Sequence, residues 1–497
     1  MYATSGLATI GAVALQLVLV GAPTAAYGQA TQPATEVKRP ELQIGSAARF
    51  NEDWSVLRGV DLSTTGDVWD HVKFLPLNRD GTAWLTIGGQ VRERGEYFRH
   101  FLFGDSQPED TDAYLLTRFR LSADLHVTQY FRAFAEFKSS MELDRDLQGG
   151  STGFVDQNDL LNGFADVMIP LGEPASVTLR GGRQELLFGS QRLVGPGDFS
   201  QLPKTFDGAG AYVRAGDWSV VPFWAMAVPI VHKYSFNKST VDQQLFGIFA
   251  TRPSAAVGLG PASGTLSPLP GEINLYWLGV NNATATFNGT SGREVRQTLG
   301  ARTTGRVGQM GLDFDVEAAG QFGSVGSQPI AAGMVTALLG YTLAAAWLSP
   351  RVYLEFDYAS GDQRPGGSVN TFNVLYPDAH SFLGYIDYIG RQNIISGNGG
   401  LIIHPTRDLS VSVQQYFFWR ASDRDAIYNK SGGVLRPGTG TTARYVGAEI
   451  DLLATCNVTR HLLLYGGYSR FFTGAFIERT GPSKDSDFLY GAIQYTF

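Results

Sequence analysis

Arginines recur at every second position in short stretches of this chain. Arg92 and Arg94 do so in "LTIGGQVRERGEYF", and Arg118 and Arg120 in "LLTRFRLSADLHV". A guanidinium keeps its charge at ordinary pH and meets a carboxylate through two parallel hydrogen bonds. A row of them suits the binding or passage of anions. Arg132, Arg183, Arg296, Arg302 and Arg420 fall in the same alternating phase of their own segments. So do the acids Glu96, Asp124, Glu136, Glu185, Asp313, Asp315, Glu317, Glu449 and Asp451. One reading is a set of ion pairs that brace an interior. The sharper one is sidedness: most of these arginines come from the first five segments, and many of the acids from the eleventh and sixteenth. A basic wall would then face an acidic one, with Arg92, Arg118, Arg120, Arg132, Arg183 and Arg420 forming an anion-selective constriction.

Catalysis is the weaker expectation. His126 lies near Ser122 and Asp124 on one strand face, but neighbours at i, i+2 stand about 7 Å apart, which does not make a relay. No GxSxG is present, and the seven histidines show no paired metal-ligand spacing. The single cysteine excludes an intrachain disulfide framework. Neither a metal nor a cofactor is expected, and a net charge of −7 argues against nucleic acid as a partner.

The elements that must position these residues alternate with period two. Opposite Arg118, Arg120, Asp124 and His126 run Leu115, Phe119, Leu121, Ala123, Leu125 and Val127. Successive side chains of a strand point to opposite faces, so one face is apolar and the other charged. Repeated over segment after segment, this is the pattern of a membrane barrel, with lipid outside and a polar lumen inside. About 18 such segments fit between Ala83 and Phe497, and each is long enough for the ~9–11 residues a spanning strand needs. The fold expected is an all-β, single-chain transmembrane antiparallel β-barrel.

The connections agree. Those after odd-numbered segments are mostly long (99–112, 141–158, 188–204, 229–241, 282–293, 359–393, 421–442, 472–485), as extracellular loops are. Those after even-numbered segments are mostly short, like periplasmic turns. The exception is 251–272, a long Pro/Gly stretch after the eighth segment. The apolar "MVTALLGYTLAAAWL" (334–348) is expected to hide two strands and a tight turn. Ahead of the barrel (83–497), residues 1–30 read as a secretory signal with cleavage after Ala26 or Ala30, and 31–82 as a periplasmic lead. The terminal Phe497, in phase with Leu489, Ile493 and Tyr495, suits recognition by the outer-membrane barrel assembly machinery.

Several blocks then resemble a known family: "YLLTRFRLSADLHVTQYFRAFAEFKSS" (114–140), "LRGGRQELLFGSQRLV" (179–194), "KTFDG" (204–208), "GREVRQTLGAR" (292–302), "DYASGD" (357–362), "TFNVLYPDAHSFLGYIDYIGRQN" (371–393), "FWRASDRDAIY" (418–428) and "YVGAEIDL" (445–452). In order and spacing they are similar to the alginate export family of outer-membrane porins. The resemblance implies a monomeric 18-stranded channel for a polyuronate, working with a periplasmic secretion complex. It also implies an arginine-rich constriction, a loop reaching into the pore, here 141–158, and a long turn after strand eight, here 251–272. Arg391, in the long 359–393 connection, is a further anion-binding candidate. Beyond "RLV" the chain reads "GPGDFSQLPKTFDG", where the family carries a further arginine. A porin for small solutes is the alternative function; an enzyme and a purely structural or adhesive barrel are the outer ones.

Overall fold

A computed structural model describes residues 48–106, 108–147, 154–253, 271–307, 311–378, 380 and 382–497. The expected signal sequence, most of the long turn expected over 251–272 and the centre of 141–158 lie outside the described residues.

Eighteen antiparallel strands form one closed barrel. In chain order the first six are β1 Ala83–Arg99, β2 Asp112–Val127, β3 Phe131–Leu143, β4 Asp156–Pro170, β5 Ser176–Gln184 and β6 Phe206–Ala215. The next six are β7 Trp218–Ala227, β8 Gln243–Pro253, β9 Glu272–Phe287, β10 Thr290–Val307, β11 Leu312–Val325 and β12 Gln328–Thr342. The last six are β13 Arg351–Ala359, β14 Ile394–Ile403, β15 Leu409–Arg420, β16 Tyr445–Asn457, β17 Leu462–Thr473 and β18 Ser486–Thr496. Each pairs with its neighbours in sequence, and β18 closes on β1, from Gln90 opposite Thr496 to Arg99 opposite Asp487. Closure leaves no open sheet edge, so the strands find their backbone partners in one another, with Lys73 and Arg49 meeting the Ile87 and Gly89 carbonyls at the start of β1.

The alternation sorts side chains as the sequence implies. On β2, Arg118 and Arg120 are 0% exposed, while the alternating Phe119 and Leu121 are 41% and 42% exposed. Phe137, Trp224, Leu299, Phe356 and Leu489 likewise face outward from their strands. An apolar band of this kind is the surface that lipid solvates.

Three local expectations are corrected. Residues 282–293 are not a long loop: β9 and β10 run on to a two-residue turn at Asn288–Gly289, both at positive φ. Asn-Gly at positive φ is the tight turn whose twist matches the paired strands. The 334–348 stretch holds the end of β12 and a turn, and β13 begins only at Arg351. The loop expected over 188–204 begins earlier: the fifth strand ends at Gln184, so Glu185, expected on a strand, opens the loop.

The described N-terminal segment, from residue 48, packs on the barrel. Its short helical turns, Arg49–Asn51, Trp54–Leu57, Leu62–Thr64 and Asp70–Lys73, close onto the barrel end that carries Phe497. Arg49 donates to the carbonyls of Gly89 and Phe497, both at 2.7 Å. Trp69 stacks on the Phe497 ring at 4.2 Å, and Phe50 packs edge-on against the buried Phe134 and Phe164.

Candidate functional site: a charged strap across the lumen

The loop between β5 and β6, residues 185–205, does not stay at the rim. It enters the lumen, and two of its side chains hook onto opposite walls. Gly197, at φ +73°, turns the chain just before Asp198. The Asp198 carboxylate accepts from Arg120 at 2.7 Å and pairs with Arg118 at 3.1 Å, both on β2. Its backbone carbonyl accepts from Arg92 and Arg118, each at 2.9 Å. Arg92 also donates to the Gln201 side-chain oxygen at 2.8 Å, and Arg94 to the Phe199 carbonyl. Six residues earlier, Arg192 pairs with Asp315 (3.1 Å) and Glu317 (3.4 Å) on β11 and with Glu355 (3.0 Å) on β13. β2 and β11 are nine strands apart, halfway round an 18-stranded barrel. Six residues span at most about 20 Å when extended. The strap is therefore a short, nearly direct crossing, negative against the basic wall and positive against the acidic one.

A second loop, 360–393, lies beside it. Val194 and Tyr376 form a parallel bridge, and Gly195 and Tyr376 each donate their N–H to the other loop at 2.9 Å. The imidazole of His380 stacks on Phe199 at 3.4 Å. The acids of β16 fasten this loop: Glu449 accepts from the Ile386 N–H at 2.9 Å and Asp451 from that of Tyr385 at 3.3 Å. Above the strap the lumen is not polar throughout. Leu186, Phe188, Leu193, Phe372, Ile386 and Tyr388 join a buried apolar cluster with strand residues such as Phe249 and Phe418.

The expected site residues thus fall into groups. Arg92, Arg94, Arg118 and Arg120 form one bank and hold the strap. Arg132 pairs with Asp124 (2.8 Å), Arg183 with Asp207 (2.7 Å) and Arg302 with Asp315 (2.7 Å), away from that bank. Arg296 pairs with Glu294 (2.6 Å) and Arg391 with Asp357 (2.8 Å), and both steady the second loop. Arg420 donates to the backbone carbonyls of Asp423, Asp425, Gly438, Thr441 and Ala443 and lies over the Phe476 ring at 4.1 Å. Among the acids, Glu96 backs Arg94 at 2.7 Å, Asp313 pairs with Arg351, and Glu136 and Glu185 share the amide of Asn162 at 2.9 Å each. His126 lies flat on Trp84 and 3.2 Å from Asp124, and Ser122 is not among its contacts.

A pore-reaching loop is expected at 141–158, whose centre lies outside the described residues. Among the described residues the crossing is made by 185–205, and its two hooks, Arg192 and Asp198, are not among the expected site residues. Their signal in the sequence is faint: two charges of opposite sign bracketing the stiff "LVGPG" in a loop with no period.

Burial alone would raise the Asp198 carboxyl, but the guanidiniums of Arg118, Arg120 and Arg92 outweigh it and hold the group well below the usual carboxylate range. The carboxylate is therefore ionised at ordinary pH. Four guanidiniums (Arg92, Arg94, Arg118, Arg120) meet two carboxylates (Glu96, Asp198), which leaves the bank positive.

A closed 18-strand barrel with an inward loop is the architecture of outer-membrane porins. Residues 83–490 match the alginate export model, and the chain belongs to that family. No curated protein sequence matches it. Solved barrels of Pseudomonas aeruginosa share the fold at low identity. OccK2 (OpdF), in complex with glucuronate, is 12% identical with a TM-score of 0.52, over 86% of this chain and 99% of its own. OpdL is 12% identical with a TM-score of 0.52, over 83% and 98%. OpdK with vanillate is 12% identical with a TM-score of 0.51, over 83% and 98%.

Proposed function

We propose that the chain is a passive channel of the bacterial outer membrane, long loops outside and short turns in the periplasm, that conducts anionic sugars of the polyuronate type. The observation that carries this reading is the surplus of guanidinium over carboxylate where the strap meets β1 and β2. In a pore, rings and banks of charge set selectivity, and fixed cations in a low-dielectric wall concentrate anions. The family's description, alginate export, and the glucuronate held by OccK2, a barrel of the same fold, support the same chemistry. The strap itself favours a second reading, in which short carboxylated solutes rather than a long chain pass, because it narrows the lumen.

Reversal potentials across a salt gradient in planar bilayers test the selectivity. The wild-type channel is expected to prefer chloride over potassium, and Arg118→Glu with Arg120→Glu to shift the potential towards potassium. An unchanged potential would contradict the reading.

A further inference from the structure

On the long-loop side of the strap lies a cavity of about 510 Å³. Its size falls in the range of sites that bury a small ligand. The strap forms part of its floor through Phe199 and Ser200, beside Arg94 and Glu96. Its walls are aromatic: Phe98, Tyr114, Phe154, Tyr385, Tyr388 and Phe488. Aromatic faces pack well against the C–H faces of a pyranose ring, which bury apolar surface while the hydroxyls stay at the edge.

The cations around this cavity differ in how they are engaged. Arg94 is backed by Glu96 at 2.7 Å, and Lys430 is held by Asp387 at 2.6 Å. Arg145 is different. Its guanidinium stands 5.5 Å from the Tyr114 ring centre and 5.1 Å from that of Phe154, and among the described residues no carboxylate pairs with it. Its Nε, like that of Arg94, is buried without a hydrogen-bond acceptor. Hydration explains an exposed arginine. It does not explain one oriented by two rings with no carboxylate beside it. Guanidinium planes fixed against aromatic faces lose little further freedom on binding a carboxylate, so they are prepared for one.

We propose that this vestibule is a binding subsite for a carboxylated sugar unit. The sugar ring would lie on the aromatic wall, its carboxylate would take the free edge of Arg145, and Glu96 would accept from a hydroxyl. The subsite rests on the reading of the chain as a channel for anionic sugars and adds to it a holding position outside the constriction. It also explains a purpose for aromatic lining that anion selectivity alone does not require.

Current block in planar bilayers tests this. Trigalacturonate added on the long-loop side is expected to block the wild-type current, and maltotriose, its neutral counterpart, to block far more weakly. Arg145→Gln is expected to raise the blocking concentration of trigalacturonate about tenfold, the loss of one charge-assisted pair. Arg145 lies in a loop outside the strand pairings, so the barrel persists in this variant, and its reversal potential is expected to match the wild type. No block of the wild type by trigalacturonate, equal block by maltotriose, or an unchanged blocking concentration in Arg145→Gln would each overturn the subsite. The reversal potential reads the constriction separately, so failure of the channel reading would show there and not in the ratio of the two blockers.

Discussion

At the scale of residues, the arginines of β1 and β2 are held through a loop, whereas Arg132, Arg183 and Arg302 pair with acids on strands. Removing one member of a buried pair typically costs about 3–5 kcal/mol, because the other is left desolvated and alone. Asp198 carries three guanidiniums, so its replacement acts on the strap and on the field together. Asp198→Asn is expected to increase chloride preference, since the bank loses one of its two carboxylates; a potential shifted towards potassium would count against the assignment. The pH dependence follows from the direction of its shift. A carboxyl held lower in the folded state than in the unfolded chain contributes stability that is complete above the unfolded value. That contribution disappears only as pH falls through the lower folded value. The hold of Asp198 on β2 is therefore expected to persist as pH drops from neutral through the usual carboxylate range, read as unchanged hydrogen-exchange protection of the 185–205 loop. The period-two phase made the burial of Arg92, Arg118 and Arg120 legible from the sequence, because phase states which face a side chain takes. It could not state what they touch, because Asp198 belongs to a loop with no period.

At the scale of elements, the strands were legible nearly throughout and the turns were not. All 18 strands overlap the alternating segments. The Asn288–Gly289 pair carries the strongest short-range hairpin signal, yet polar residues on both sides disguised strand continuations as a loop. The strap was hidden for the opposite reason: "ELLF" prolongs the apolar look of β5 although its backbone has already left the sheet. The N-terminal segment is a further element that sequence read only as a lead. It places Lys73 at 0% exposure, donating to the Ile87 carbonyl at 2.9 Å, with the Trp54 ring 5.0 Å away. Burial drives this ammonium down to about 7, with the Arg49 guanidinium adding to the effect. The folded segment then binds fewer protons than the unfolded one between about pH 7 and the ordinary lysine value of 10.5. Docking is accordingly expected to tighten as pH rises across that window and to be weakest below it. Proteolysis of the 48–74 segment in the purified barrel should slow from pH 7 to 10, and Lys73→Met should flatten the slope. Equal slopes in both proteins would remove Lys73 from the account.

At the scale of the whole molecule, two features make one device. The closed sheet supplies a basic wall on β1 and β2 and an acidic wall on β11 and β13, and the strap joins them with the opposite sign at each end. The sidedness of charge was legible from the sequence, because arginines and acids segregate by segment. The crossing that uses it was not, since nothing local in "SQRLVGPGDFSQ" says that the loop folds inward. The central claim is that this strap, held by charge at both ends, sets the width of the path beside the arginine bank. Single-channel conductance of a variant with both hooks removed, Arg192→Ser with Asp198→Asn, tests it most directly. The account predicts a conductance several-fold above wild type with anion preference retained, since Arg92, Arg94, Arg118 and Arg120 stay in the wall. A conductance equal to wild type in a correctly folded variant would contradict it.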